Sequence, residues 1–396
     1  MSLSLLDLIA GGITQAGLGE LLIYLLVVTQ LTIFSVTLYL HRSMAHRSVD
    51  FHPVLAHFFR FWSWLTTSMI TREWAAIHRK HHAKCETEED PHSPQFKGID
   101  TVMWRGVELY RDARAQRDDI EKYGKGCPDD WIERHLYTPH ATMGPVLMLV
   151  INAALFGLWG VALWAIQMVW IPFWAAGVVN GLGHWWGYRN FETTDTATNL
   201  TPWGFWIGGE ELHNNHHAFP SSAKFALRKW EFDIGWSAIK LLEKVRLAKV
   251  LRVAPTLDVR PNIAIPDGET LKALLAIRFQ AMTDYYRNVT LPALREAKFK
   301  LPRNLRQGLA DDGRWLDDDK RAKLQAWLAE RPKMATLAEF RQRLAQVLDD
   351  RSHDAQATLA KLHAWCTEAE ASGIHALQQF SARLKGYAIA PARTAA

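Results

Sequence analysis

Residues 144–183 read GPVLMLVINAALFGLWGVALWAIQMVWIPFWAAGVVNGLG, and this stretch decides the fold that the sequence predicts. It carries no Asp, Glu, Lys or Arg and is about twice the ~20 residues that one membrane-spanning helix needs. Gly157 and Gly160 mark a turn near its middle. The stretch therefore predicts a hairpin of two membrane-spanning helices.

Further apolar segments precede the hairpin. Residues 21–40 (LLIYLLVVTQLTIFSVTLYL) are uncharged and long enough to span a bilayer. Residues 54–70 contain His57 and Arg60, and the internal Arg60 together with the Trp residues of this segment fits an interfacial segment or one that dips into the membrane and returns. Residues 1–18 are compatible with a short first span or with an amphipathic lead-in. The predicted fold is all-α, a polytopic transmembrane helical bundle of about four spans with a cytoplasmic helical cap.

The composition changes along the chain. Residues 1–245 hold the long apolar runs and 15 of the 18 Trp residues, many near the ends of these runs, as in an interfacial aromatic belt. Residues 246–396 are charged and contain short amphipathic patterns, DDDKRAKLQAWLAE at 317–330 and LAEFRQRLAQVLDD at 337–350. We therefore expect a membrane domain over 1–245 and an extra soluble helical tail of unknown role over 246–396.

Cysteine usage and charge exclude several classes of protein. Cys85, Cys127 and Cys366 lie far apart without a C-x-x-C pair, which argues against an iron–sulfur cluster, a zinc ribbon or a disulfide framework. The net charge is only +5, and the basic residues are spread along the chain. Nucleic-acid binding is therefore not predicted.

Nine of the 17 histidines fall in four places. These are His41 and His46 in HRSMAH, His78, His81 and His82 in HRKHH, His184, and His213, His216 and His217 in HNNHHAFP. Convergent neutral imidazoles form a transition-metal environment, and nine of them without neighbouring thiolates indicate two metal ions. Each H-x-x-H-H box is expected to divide its rings between the metals. His41 and His46 are about 140° apart on an ideal helix, so they should bind different metals or lie where the helix ends.

A shared metal site constrains the membrane topology. The first box follows the 21–40 span and the second follows residues 54–70, so these two boxes meet only if 54–70 does not cross the membrane. Lys and Arg are dense from Arg42 to Arg134 and absent from the hairpin turn, which predicts that the boxes face the cytoplasm. The chain is thus expected to be integral to a bacterial inner membrane, or to the endoplasmic reticulum in a eukaryote.

Residues close to the boxes are candidates for supporting roles. Asp90, Glu210 and Glu211 are expected either to orient imidazole N–H groups or to be solvated loop charges. Trp74, four residues before His78, is a candidate wall residue of a substrate tunnel, with simple packing as the alternative.

The motifs HRSMAH, HRKHHAKCETEEDPHSP, NGLGHWWGYRNFE and HNNHHAFP resemble the histidine boxes of membrane fatty-acid desaturases, in particular the Δ9 acyl-CoA and acyl-lipid branch. The resemblance covers roughly residues 20–240. It implies two iron ions bound by the nine box histidines, Asn180 reaching one iron through a water, and a bent tunnel for the acyl chain. It further implies that O2 and two electrons are used to insert a cis double bond, at Δ9, into a long saturated chain carried by CoA or a phospholipid.

The resemblance leaves partners and rival functions to be tested. No His-Pro-Gly-Gly heme motif of a fused cytochrome b5 is present, so a separate donor such as a ferredoxin or cytochrome b5 system is expected to supply electrons. A membrane di-iron hydroxylase acting on alkanes or acyl chains is the nearest alternative. A metal transporter is a remote one, because residues 145–183 offer only Asn152, Gln167 and Asn180 as polar groups.

Overall fold

The computed structural model describes residues 4–299, 301–350 and 354–390, and it is mostly helical, which confirms the predicted all-α class. It divides into two compact units. The first comprises the chain up to Arg189 together with Asp195–Ala254, and the second comprises Asn190–Thr194 with the chain from Pro255 onward. The proposed membrane domain of 1–245 lies almost entirely in the first unit. The division into a membrane domain and a cytoplasmic tail stays a prediction.

Within its described residues, the first unit contains twelve α-helices. They are α1 (Leu5–Gly11), α2 (Leu18–Phe34), α3 (Pro53–Thr67), α4 (Thr71–Lys84), α5 (Pro94–Lys97), α6 (Ile99–Trp104), α7 (Gly106–Ala115), α8 (Arg117–Tyr123), α9 (Met143–Phe156), α10 (Leu158–Ile171), α11 (His213–Ala218) and α12 (Ile234–Lys244). π-Helical segments occupy Ser35–Ala45, Glu133–Tyr137 and Pro172–Val179, and a 3-10 turn occupies Leu182–His184. Strand β1 (Val49–Phe51) pairs antiparallel with β4 (Ala248–Val250), and β2 (Trp203–Gly204) pairs parallel with β3 (Phe232–Asp233).

Two helices among the described residues are long and apolar enough to cross a membrane, Leu18–Ala45 and Leu158–His184. α9 is apolar but shorter. In the described part of the ambiguous N-terminal stretch, helix α1 has seven residues and is about 10 Å long, which is too short to span a membrane. By length and composition, therefore, two helices rather than about four qualify as spans.

Gly157 makes the turn between α9 and α10. Its φ of 60° is strained for other residues, and a Cβ at this position would lie 2.4 Å from the carbonyl oxygen of Ile9. Gly160, which the sequence also suggested as part of the turn, lies inside α10 instead. A Cβ there would overlap the carbonyl oxygen of Asn152, so the missing side chain allows α9 and α10 to pack closely.

Residues 54–70 do not separate the first two histidine boxes. They form most of α3, whose Trp62 side chain donates a hydrogen bond to Thr32 of α2 at 3.0 Å. The chain then reverses at Ser68, which adopts a left-handed conformation, and α4 leads back to the second box. The Nε2 atoms of His46 and His78 lie 2.8 Å apart. The two boxes therefore meet, as a shared site requires.

The second unit is also helical. Its helices are α13 (Gly268–Ala276), α14 (Arg278–Tyr285), α15 (Leu291–Glu296), α16 (Arg303–Asp311), α17 (Asp318–Ala329), α18 (Pro332–Leu348), α19 (Ala355–Ala371) and α20 (His375–Lys385), with a π-helical segment at Tyr286–Thr290 and an antiparallel pair of β5 (Leu257–Val259) and β6 (Tyr387–Ile389). The amphipathic patterns at 317–330 and 337–350 fall in α17 and α18, so these helices are confirmed. Tyr285, Phe340, Trp365 and Phe380 form an aromatic cluster in the core of the unit.

Candidate metal centre

The nine box histidines converge in the first unit and separate into two groups. The five-histidine group consists of His41, His46, His78, His82 and His216, with one ring nitrogen of each within 4.8 Å of all the others. The four-histidine group consists of His81, His184, His213 and His217, where Nε2 of His184 lies 2.9 Å from Nε2 of His213 and the ring centroids of His81 and His217 lie 5.2 Å apart.

The spacing of the ring nitrogens fits ligands of a metal ion. In the five-histidine group the Nε2–Nε2 distances are 3.0 Å for His41 and His216, 3.1 Å for His78 and His82, and 2.9 Å for His82 and His216. Two nitrogens bound at right angles to one ion, each about 2.1 Å away, are roughly 3.0 Å apart.

The two H-x-x-H-H boxes divide their rings as the sequence suggests. On α4, His78 and His82 share a face and belong to the five-histidine group, whereas His81 belongs to the other group. On α11, His216 joins the five-histidine group, while His213 and His217 lie in the four-histidine group.

His41 and His46 belong to one group, so the expectation that they bind different metals is wrong, while the alternative, that they lie where the helix ends, is correct. The π-helical segment Ser35–Ala45 ends immediately before His46, whose backbone N–H donates to the carbonyl of His41 at 3.1 Å. The wider turn of the π-helical segment and the end of the helix together place the ring centroids of His41 and His46 5.0 Å apart.

Four buried carboxylates orient the imidazoles. Nδ1 of His41 bonds to Glu210 at 2.8 Å, Nδ1 of His81 to Asp90 at 3.0 Å, Nδ1 of His184 to Glu86 at 2.9 Å, and Nδ1 of His217 to Asp195 at 2.9 Å. A neutral ring that donates through Nδ1 presents an unprotonated Nε2. These contacts therefore leave four Nε2 lone pairs ready for a metal ion.

The sequence indicated only part of this carboxylate set. Asp90 and Glu210 contact box histidines, as expected of groups that orient imidazoles. Glu211 instead accepts hydrogen bonds from the backbone amides of Trp206, Ile207 and Gly209, so it stabilises the loop before α11.

Glu86 and Asp195 were not predicted from the sequence. Glu86 is the first of four acidic residues in the run ETEED. In the structure Glu86 and Asp90, which are four residues apart in the sequence, face the centre. That i, i+4 spacing was the available signal. Asp195 follows a chain segment without regular secondary structure, and its surrounding sequence carried no such signal.

The charges of the centre also fit two divalent cations. The four carboxylates are between 1% and 8% exposed. Burial, followed by neighbouring imidazoles, lowers the pKa of His46, His78, His82, His213 and His216 well below the ordinary value, so these rings are neutral. Four buried carboxylates among rings most of which are neutral are costly unless cations compensate them, and bound metal ions would supply that positive charge.

His81 and His217 respond differently to their carboxylates. Burial lowers the pKa of His217 to about 3 despite the Asp195 carboxylate beside it. At His81 burial is again the largest single effect and lowers the pKa, but the carboxylates of Asp90, Glu86 and Asp195 together outweigh it, so the pKa is raised. Nε2 of His217 is buried and has no hydrogen-bond partner among the described residues. A metal ion would satisfy this orphaned atom.

A cavity of about 300 Å³ opens onto both groups. Its lining includes His41 and His78 from the five-histidine group, His213 from the other group, and Trp74 and Asn180. The Trp74 ring also stacks on His78, with centroids 5.0 Å apart. Both candidate residues therefore border the space next to the metal ligands. This volume is typical of a small-molecule site.

Asn180 and His184 do not lie on one regular α-helix. The helix changes to π-helical at Pro172–Val179 and to a 3-10 turn at Leu182–His184. The orientation of Asn180 towards the centre is therefore set by this local change of helix type, and its role as a water-mediated ligand stays a prediction.

Comparison with known proteins gives a consistent picture. The profile of the family described as fatty acid desaturase matches residues 20–234. Delta-9 acyl-lipid desaturase 1 of Arabidopsis thaliana is 30% identical, with the match covering 58% of this chain and 74% of that protein. The sn-1 stearoyl-lipid 9-desaturase of Anabaena variabilis is 29% identical over 55% and 79% of the two chains, and the acyl-CoA C20 Delta5-desaturase of Anemone leveillei is 30% identical over 58% and 72%.

Proposed function

The chain belongs to the fatty acid desaturase family, and from this premise we propose that it inserts a cis double bond at the Δ9 position of a long saturated acyl chain, using two irons held by the nine box histidines. The observation that carries the proposal is the division of the nine rings into groups of five and four around one cavity. Relatives named as 9-desaturases support the position, and a relative named as a Δ5-desaturase marks the alternative.

The reaction removes two hydrogens from an unactivated –CH2–CH2– unit. O2, two electrons and two protons are consumed, and two waters are formed with the new double bond. Bound iron would supply the O2 activation that side chains lack. The imidazoles of this chain would hold the ions, and the Nδ1–carboxylate bonds fix the orientation of the four rings that make them.

The cavity selects which carbons react. An acyl chain offers no polar group near its middle, so position along the chain is set by the shape and depth of the cavity. Trp74, packed on His78, provides a rigid wall beside the centre. Apolar side chains such as Ile171 and Val179 also line the space and disfavour water in it.

We propose that the centre faces the cytoplasm of a bacterial inner membrane or of the endoplasmic reticulum, with a separate ferredoxin or cytochrome b5 system as electron donor. The dense Lys and Arg residues between 42 and 134 support this orientation. A cysteine introduced at the exposed Asp50 should react with an impermeant reagent only from the cytoplasmic side. Reaction from the other side would reverse the proposed orientation.

Lipid analysis tests the reaction. Cells that lack their own Δ9 desaturase and express this chain should accumulate cis-monounsaturated acyl chains, and double-bond mapping should place the bond at carbon 9. Bonds at another carbon would refute the Δ9 assignment. Hydroxylated chains in their place would establish the hydroxylase alternative.

Metal analysis tests the centre. Protein purified in mild detergent from iron-rich medium should contain close to two irons per chain, because two groups of imidazoles are present and carboxylates bond to rings in both groups. Stoichiometric zinc with little iron would contradict the di-iron assignment.

The variant Asn180→Leu tests the proposed water-mediated ligand. The nine imidazoles are retained, so iron content should stay near two per chain. Desaturation should fall at least about tenfold, equivalent to about 1.4 kcal/mol of transition-state stabilisation. Asn180→Asp, which keeps an oxygen able to hold the water, should recover part of the activity. Normal turnover in the Leu variant would show that Asn180 is only structural.

A further inference from the structure

A sulfur atom lies within the four-histidine group. Sγ of Cys85 is 3.9 Å from Nε2 of His81. The ligand atoms of Cys85, His81, His184 and His217 all lie within 4.8 Å of one another. Nitrogen and sulfur bound to one ion at about 2.1 and 2.3 Å are separated by at most about 4.4 Å. The four atoms therefore need little movement to surround one ion.

The chain holds Cys85 in this position from both sides. Cys85 follows the last residue of α4, four residues after His81, so both side chains point to the same face. The next residue, Glu86, is fixed by its contact with His184 and by a hydrogen bond from its backbone N–H to Asp90 at 3.0 Å. The thiol is thus held by a segment whose neighbours are already tied to the centre.

Two histidines of this group can offer a ring nitrogen to a cation beside the sulfur. His81 and His217 each bond through Nδ1 to a carboxylate, and in that arrangement a neutral ring presents a lone pair at Nε2. Nε2 of His217 is buried without a hydrogen-bond partner among the described residues. The sulfur therefore contacts His81 and also lies in one group with His217, whose buried Nε2 a cation would satisfy in place of a hydrogen-bond partner.

The four-histidine group offers one imidazole ligand fewer than the five-histidine group. An ion bound by four imidazoles and a water held by Asn180 has one position left in a six-coordinate arrangement. Thiolates are strong ligands for transition metals and compete well for such a position. The sequence alone gave no such indication, because Cys85 lacks a C-x-x-C partner.

We propose that Cys85 is a sulfur ligand of the metal ion held by His81, His184, His213 and His217, an inference that rests on the proposed function. On binding, the thiol forms a sulfur–metal bond and releases its proton to solvent, with no change of oxidation state. A thiolate donates more electron density than imidazole or water. The two ions of the centre are therefore inequivalent, and the ion in the four-histidine group is the more easily oxidised.

Cobalt substitution tests the proposal without reference to activity. The full-length chain, freed of metal and reloaded with Co²⁺ in mild detergent, should bind two ions and show a thiolate-to-cobalt charge-transfer band in the near ultraviolet. Cys85→Ser should still bind cobalt and lose the band. The matched variants Cys127→Ser and Cys366→Ser should keep it, because neither cysteine belongs to the four-histidine group.

X-ray absorption of the cobalt-loaded wild-type chain provides a second measurement that does not depend on folding of a variant. A sulfur neighbour at about 2.3 Å from cobalt should appear. Two bound cobalt ions without a band and without a sulfur neighbour would refute the role of Cys85 and leave the two-metal centre intact. A band that persists in Cys85→Ser would also refute it. A chain that binds no cobalt or iron would overturn both this inference and the proposed function.

Discussion

Replacement of His184 by glutamine should remove one of the two irons and abolish desaturation. The variant leaves three imidazoles in the four-histidine group and breaks the Nδ1 contact with Glu86. Loss of an outer hydrogen-bond partner alone costs about 10–100-fold in metal affinity or activity. Loss of a ligand should therefore lower turnover by more than about a hundredfold. His46→Gln should have the same effect through the five-histidine group.

Iron per chain and turnover, measured on the same samples, check this result. Each single variant should retain about one iron, and the double variant His46→Gln, His184→Gln should retain none. The exposed His140, outside both groups, provides the matched control, and His140→Gln should keep two irons and normal turnover. Two irons with near-normal turnover in either single variant would refute the assignment of that histidine as a ligand.

Glu86→Gln should weaken metal binding about 10–100-fold while leaving the fold intact. The glutamine oxygen can still accept the hydrogen bond of His184, and its amide can face the hydroxyl of Ser93, which now donates to Glu86 at 2.5 Å. The substitution therefore removes one of the four buried negative charges and little else. The remaining ligands then hold the cation with one nearby negative charge fewer to balance its positive charge.

The measurement is iron retention during titration with a chelator, compared with Glu89→Gln. Glu89 lies three residues further along the same loop, pairs with Lys84 and is largely exposed. This control should retain iron as the wild type does. If both variants lose iron equally, the loop sequence in general, and not the contact with His184, would be responsible.

Much of the fold could be predicted because long apolar and amphipathic helices can be recognised from the local sequence. An uncharged run with a central Gly157 defines a hairpin, and amphipathic patterns define α17 and α18. The number of spans could not be read in the same way. α1 has apolar residues but stops after seven because the chain turns at Gly12, where a positive φ of 64° ends the helix. The wide turns of the π-helical segments likewise leave no clear trace in a hydrophobic pattern.

The sequence by itself determined that nine imidazoles cluster in boxes and that residues 54–70 must not separate two of them, because spacing and parity are local properties. Only the tertiary structure decided which rings share a group. His41 meets Glu210 and His216, which follow it by 169 and 175 residues. It also decided that Glu86, Asp195 and Cys85 face the centre while Glu211 supports a loop. Helical periodicity describes neighbours within a turn or two, whereas these contacts arise from packing between distant helices, so no local pattern can specify them.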